Sequence, residues 1–78
     1  MRKNNETQII KAVTMKGDIQ EYEIVLGYNP NNKLTPYVTW ICFNKNDYNF
    51  GHYFKTKSEA YRDFFNRINE EIKYIIIR

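Results

Sequence analysis

Between Tyr37 and Phe54, seven of eighteen residues are aromatic: Tyr37, Trp40, Phe43, Tyr48, Phe50, Tyr53 and Phe54. The segments that carry them read as β-strands. In a strand, successive side chains point to opposite faces, and these rings fall at both parities. The aromatics therefore load both faces of a sheet. A 78-residue chain buries only roughly 60–65 % of the surface its unfolded form exposes. Only one segment outside the strands is amphipathic enough to cover a face. One aromatic face is thus expected to look outward, and exposed aromatic surface marks a contact site. Which face that is stays open at this point.

The order of elements follows from local pattern. Residues 1–6 are polar and are expected to fray. Thr7 to Lys16 is rich in β-branched residues and predicts a strand. Lys16-Gly17-Asp18 predicts a turn. Ile19 to Leu26 alternates, with Tyr22, Ile24 and Leu26 on one face and Glu21 and Glu23 on the other, as a half-buried antiparallel strand does. A three-residue loop places Lys11 opposite Glu23 and Ile10 opposite Ile24; a two-residue loop shifts every pair by one. The charge pair favours the first register.

Gly27 to Lys33 has loop composition. Pro36 opens a third strand, Tyr37 to Asn44, apolar on both faces and so expected as the central strand or as one with a face at an interface. Asn44-Lys45-Asn46-Asp47 turns into a fourth, Tyr48 to Phe54. Gly51 weakens that strand, which predicts a bulge or a close approach by a neighbour. Thr56 and Glu59 have the spacing of a capping box. The helix that follows carries Ala60, Tyr61, Phe64, Phe65, Ile68 and Ile72 as its apolar stripe. Arg62, Asp63, Asn66, Arg67, Asn69 and Glu70 form its wet face, with Asp63 and Arg67 spaced for an ion pair. Tyr74 to Ile77 also suits a short fifth strand. No Gly or Pro separates it from the helix, so the helix is expected to continue. The fold class is α+β: a four-stranded antiparallel meander with one C-terminal helix packed on one face, β-β-β-β-α, in a single domain spanning 1–78.

Composition narrows the chemistry. Twelve Lys and Arg against nine Asp and Glu give a net charge of +3. Acids are mixed among the bases, whereas a dedicated nucleic-acid binder shows a basic stripe. A single cysteine, Cys42, excludes an intrachain disulfide. No run reaches the ~18–20 apolar residues of a membrane span, and no apolar signal region follows the first residues. A cytoplasmic protein with no membrane partner is expected.

A metal site needs three or four clustered His, Cys or acidic ligands, and one His with one Cys do not supply them. Cys42 lies inside an apolar strand, where a small core hydrophobe is the ordinary reading. His52 is the only histidine, on an aromatic strand where a structural or contact role outweighs catalysis. No glycine-rich phosphate loop exists. No cofactor, no metal and no enzymatic activity are expected.

Tyr, Trp, Phe and Arg dominate protein interfaces, so a protein-binding module fits best. Trp40, Tyr48, His52 and Tyr53 are the candidate contact residues, with Arg62 and Arg67 secondary. The alternative is a single-stranded nucleic-acid binder that stacks bases on the same aromatics beside Lys55, Lys57 and Arg62. Asn49 to Phe54 matches the aromatic strand of RNA-recognition motifs at Phe50 and Gly51 only. A homodimer through the open face is a third reading.

The stretch Tyr37-Val38-Thr39-Trp40, then Gly51-His52-Tyr53-Phe54, then Glu59-Ala60, Asp63-Phe64 and Arg67, resembles small accessory proteins of phages and mobile elements in low-GC Gram-positive bacteria. Heavy use of Asn, Lys, Ile and Tyr agrees with an AT-rich genome. Some such proteins are inhibitors of host defence, of the anti-CRISPR type. The resemblance implies a non-enzymatic inhibitor of a larger host protein or nucleoprotein in the host cytoplasm. It carries no site residues across. The net charge of +3 argues against the acidic DNA mimicry used by many anti-CRISPR proteins.

Overall fold

The computed structural model describes the backbone of residues 1–77 and the side chains of residues 1–70. The chain runs β1 (Lys3–Asn4), β2 (Thr7–Lys16), β3 (Glu21–Tyr28), β4 (Tyr37–Phe43), β5 (Asp47–Phe54) and α1 (Lys57–Ile77). Each strand pairs antiparallel with the next, so the sheet order is β1-β2-β3-β4-β5. The α+β meander with a trailing helix is as predicted, but it has five strands instead of four. The added strand lies in the segment expected to fray. Asn5 takes a left-handed φ of 54°, which asparagine tolerates, and turns Lys3–Asn4 back onto Thr7–Gln8.

β2 has the predicted bounds; the register beyond it does not. The loop is Gly17–Gln20, so Lys16 faces Glu21, Thr14 faces Glu23 and Val13 faces Ile24. Lys11 stands opposite Leu26, not Glu23, across a bulge at Ile10. The physical reason is burial. The observed register puts Met15 on the same face as Ile24 and Leu26, inside the core. Burying such a side chain is worth about 1.5–3 kcal/mol, against well under 1 kcal/mol for a surface charge pair.

β3, not β4, is the middle strand, and it is buried on both faces from Glu23 to Gly27. One face belongs to α1. Met15, Ile24, Leu26, Ala60 and Phe64 form its core, flanked by Tyr22, Tyr37, Phe54, Tyr61 and Ile68. The helix starts where the sequence places it. The Thr56 Oγ1 accepts from the Glu59 N–H at 3.2 Å, and the Thr56 N–H donates to Glu59 Oε1 at 3.3 Å. It continues to Ile77 without a fifth C-terminal strand. α1 packs across β3, β4 and β5.

The opposite face has its own core of Val25, Val38, Trp40 and Cys42, flanked by Ile9 and Tyr48. Arg2 lies over it. The Arg2 guanidinium donates to both Glu23 carboxylate oxygens, at 3.0 and 2.7 Å, and to Tyr48 Oη at 3.1 Å. Lys45 Nζ reaches the same carboxylate at 3.2 Å. Glu23, expected on a wet face, is therefore buried and doubly paired. Burial works against its ionised form, but the Arg2 hydrogen bonds outweigh that and hold its carboxyl below the ordinary range.

Candidate protein interface on the β5 edge

β5 begins from a mirror-image turn. Asn44 and Lys45 have φ of 56° and 68°, and the Asn46 N–H donates to the Phe43 carbonyl at 3.3 Å. That geometry fits the twist of a hairpin. Further along, Phe50 and Gly51 together oppose the single residue Trp40, because Thr39 pairs with His52 while Ile41 pairs with Asn49. This is the bulge that Gly51 predicted. Phe50 takes a φ of 55°.

The bulge resets the faces of β5. Tyr48 faces Cys42 and Tyr53 faces Val38, so both tyrosines share the face of Trp40 although they are five positions apart. Trp40 lies flat over two glycines. A Cβ on Gly51 would stand 2.9 Å from Trp40 Nε1, and one on Gly27 would stand 3.3 Å from Cζ3 at the far end of the indole. Tyr48 and Tyr53 meet it edge-on, at ring-centroid distances of 5.2 and 6.4 Å. Trp40 is consequently only 8 % exposed. The expectation that it would be an outward contact residue is corrected: the glycines let the indole sink, and its neighbours close over it. Tyr48 is half-buried, with the Arg2 guanidinium 5.6 Å above its ring.

The exposed rings of β5 are Tyr53 at 55 % and Phe50 at 70 %. Phe50 was not among the candidates. The signal that could have found it is its place before Gly51, where a bulge turns one side chain out of the alternation.

On the helix side, Asp63 Oδ2 accepts from Thr39 Oγ1 at 2.6 Å, lies 3.0 Å from His52 Nδ1 and 3.3 Å from Arg67 Nε. The Asp63–Arg67 pair is present as predicted, but not on a wet face. It sits on the flank of α1 that abuts β4 and β5, and the Arg67 side chain is only 10 % exposed. Arg67 Nη2 also donates to the Phe50 carbonyl at 2.6 Å, which ties the bulge to the helix. Arg67 Nη1 is buried without a hydrogen-bond partner. Burial pushes the Asp63 carboxyl up, but the Thr39 and His52 hydrogen bonds, with the His52 and Arg67 charges, leave it net below the ordinary range. An ionised Asp63 only accepts, so His52 Nδ1 carries a proton and donates. Nε2 is the ring nitrogen left over.

Ile24, Ile41, Phe50, His52, Arg67 and Glu70 line a shallow cavity beside this cluster. Arg62 is exposed and lines a separate depression with Phe54, Glu59, Asp63 and Asn66. The structure thus brings Tyr48, His52 and Tyr53 together with Phe50 along one edge strand, with Arg67 behind it, and leaves Trp40 beneath and Arg62 to one side. Among the described residues, no three His, Cys, Asp or Glu side chains are grouped to hold a metal ion. No described helix is long and apolar enough to cross a membrane. No protein family, no curated protein and no solved structure matches the chain.

Proposed function

We propose that this chain is a small non-enzymatic protein-binding module whose contact surface is the β5 edge. Phe50 carries the argument. A bulky side chain in the left-handed region costs roughly 1–2 kcal/mol, and this one recovers little of that by burial, being 70 % exposed. Gly51 stands next to it, and glycine takes positive φ without that cost. A strained, outward aromatic locked by Arg67 on its carbonyl is an arrangement for presenting a ring to a partner. Tyr53 and His52 flank it on the two faces of the same strand. His52 also joins β5 to α1 through Asp63, which keeps the presented strand rigid.

The resemblance to phage and mobile-element accessory proteins supports placing the partner as a larger host protein or nucleoprotein, with this chain as its stoichiometric inhibitor in the host cytoplasm. The alternative is single-stranded nucleic acid stacked on the same rings. Lys55 and Lys57, exposed just beyond β5, favour it, and its affinity would fall steeply with salt.

The test is the single variant Phe50→Asn, which leaves Tyr53 on Trp40. Asparagine tolerates positive φ, so the expected outcome is an unchanged melting curve and loss of the partner that the wild type captures from host lysate. A variant that is folded and still binds its partner, or one that unfolds, refutes the assignment. Binding of a single-stranded oligonucleotide at low salt, lost in the same variant, selects the alternative.

A further inference from the structure

Arg67 has one nitrogen to spare. Its Nε is 3.3 Å from Asp63 Oδ2, and Nη2 donates to the Phe50 carbonyl at 2.6 Å. Nη1 is buried and has no hydrogen-bond partner among the described residues, on a side chain that is only 10 % exposed. A buried donor left without an acceptor is costly, more so on a charged group, and calls for an explanation. Arg67 also lines the shallow cavity beside the Asp63 cluster, whose volume is about 250 Å³. Ile24, Ile41 and Phe50 are its apolar residues; His52 and Glu70 are its other polar ones. Both of these offer acceptors. His52 Nδ1 holds its proton toward Asp63, so Nε2 of the neutral ring accepts. Glu70 is exposed, and a carboxylate only accepts. Neither is bonded to Nη1. The cavity thus joins one unpartnered cationic donor to two acceptors and an apolar lining.

We infer that this cavity is a subsite for a primary carboxamide, the side chain of an asparagine or glutamine on the protein partner. The carboxamide oxygen accepts from Arg67 Nη1, and its NH2 has Glu70 and His52 Nε2 to donate to. Charge decides against the other polar side chains. A carboxylate satisfies Arg67 but lies against Glu70, with Asp63 already on Arg67. An ammonium or guanidinium satisfies Glu70 but lies against Arg67 and leaves Nη1 without an acceptor. Repulsion and unpaired groups of this kind are how a site rejects the wrong ligand. Size agrees, because the volume falls below the roughly 300–1,000 Å³ of pockets that enclose a whole small molecule. Nη1 is shielded from bulk water, so an acceptor that reaches it gains more than one at the surface. Phe50 and Glu70 are exposed side chains of the lining, and their rotation, fast for exposed residues, admits the carbonyl. That the carboxamide belongs to a protein partner rests on the proposed function; the preference for a carboxamide does not.

The test titrates propionamide into the full chain and follows the Arg67 Nε–H and the Ile24 and Ile41 methyl resonances by NMR. Propionamide is expected to shift all of them saturably, and propionate or propylammonium at the same concentration is not. Arg67→Met, read at the two methyls, is expected to weaken propionamide binding roughly tenfold or more, as loss of a hydrogen bond to a charged group does. Glu70→Lys changes an exposed position and is expected to reverse the preference, so that propionate binds and propionamide does not; it keeps the test decisive if Arg67→Met fails to fold. No saturable shift with propionamide overturns the inference. So does propionate binding the wild type as well as propionamide, or a Glu70→Lys variant with unaltered preference. Cytosine binding more tightly than propionamide at these resonances also overturns it and assigns the cavity to a nucleobase. The result is separable from partner capture. Propionamide binding beside undiminished capture by Phe50→Asn leaves the subsite standing and removes the β5 reading, and a silent titration beside lost capture does the reverse.

Discussion

Replacing Arg2 by alanine should destabilise the protein by about 2 kcal/mol at neutral pH. The number is worked from what Arg2 holds. Its guanidinium donates to both oxygens of Glu23, to Tyr48 Oη and to the Lys45 carbonyl. The Glu23 side chain is only 8 % exposed. Removing one partner of a buried pair costs about 3–5 kcal/mol. Two features reduce that figure. Arg2 itself is 29 % exposed, so solvent screens part of the interaction, and Lys45 stays 3.2 Å from the carboxylate. About 2 kcal/mol in a domain this small is a fall in Tm of roughly 8–16 °C.

Trp40 is the only tryptophan and lies in the same core cluster as Cys42, so intrinsic fluorescence during thermal or urea unfolding reads the change directly. The pH dependence gives a second check. Glu23 has a depressed carboxyl pKa. Its contribution is therefore present above the ordinary carboxylate value of about 4.3 and is lost as pH falls through the lower folded value. The gap between wild type and Arg2→Ala should be full at neutral pH and narrow as acid protonates Glu23 below the ordinary carboxylate range. Adding Glu23→Gln to Arg2→Ala should recover part of the loss, since no buried charge is then left behind. A single variant within about 0.5 kcal/mol of wild type, the range of an ordinary surface substitution, would falsify this account. So would a gap that does not change with acid.

Two further outcomes bear on the β5 edge. Gly51→Ala places a methyl 2.9 Å from Trp40 Nε1 and 3.0 Å from Tyr53 Cε1; the overpacking should cost about 1–3 kcal/mol and shift the Trp40 emission, and a variant as stable as wild type with unchanged emission contradicts the close seat of the indole on Gly51. Asp63→Asn removes the carboxylate on which Thr39, His52 and Arg67 converge and should cost about 2 kcal/mol, less than a fully buried pair because the carboxylate is partly open to solvent. The Asp63 contribution, like that of Glu23, is present above the ordinary carboxylate range and is lost as pH falls through the depressed value; a denaturation series in which wild type and Asp63→Asn differ equally at neutral and acid pH rules that out.

Much of the architecture is legible in local pattern. β2 has the bounds its β-branched run predicts. Asn44-Lys45-Asn46 turns where the composition says, Thr56 and Glu59 cap the helix, and the bulge falls at Gly51. Each of these rests on residues within a few positions of one another. The misses are of another kind. Arg2 meets partners 21, 40 and 46 positions away, and nothing in its neighbourhood announces that. Asp63 and Arg67 look like an exposed i,i+4 pair until the helix is set down with that flank against Thr39 and His52. The extra residue at Phe50–Gly51 inverts the alternation of β5, so rings assigned by parity alone change faces.

The amino-acid sequence by itself determined the order and type of β2 to β5 and α1, the helix cap and the turns, and the surplus of aromatic surface, because these depend on backbone preferences and side-chain periods that act over a single turn or strand. Only the tertiary structure decided which rings stay outside. That choice turns on register, on which three of the five strands the helix covers, and on whether two glycines stand beneath one indole. These are contacts between segments far apart in the chain. Trp40 sinks for that reason, and Gly51 beside Phe50 is the one local mark of which ring is turned out.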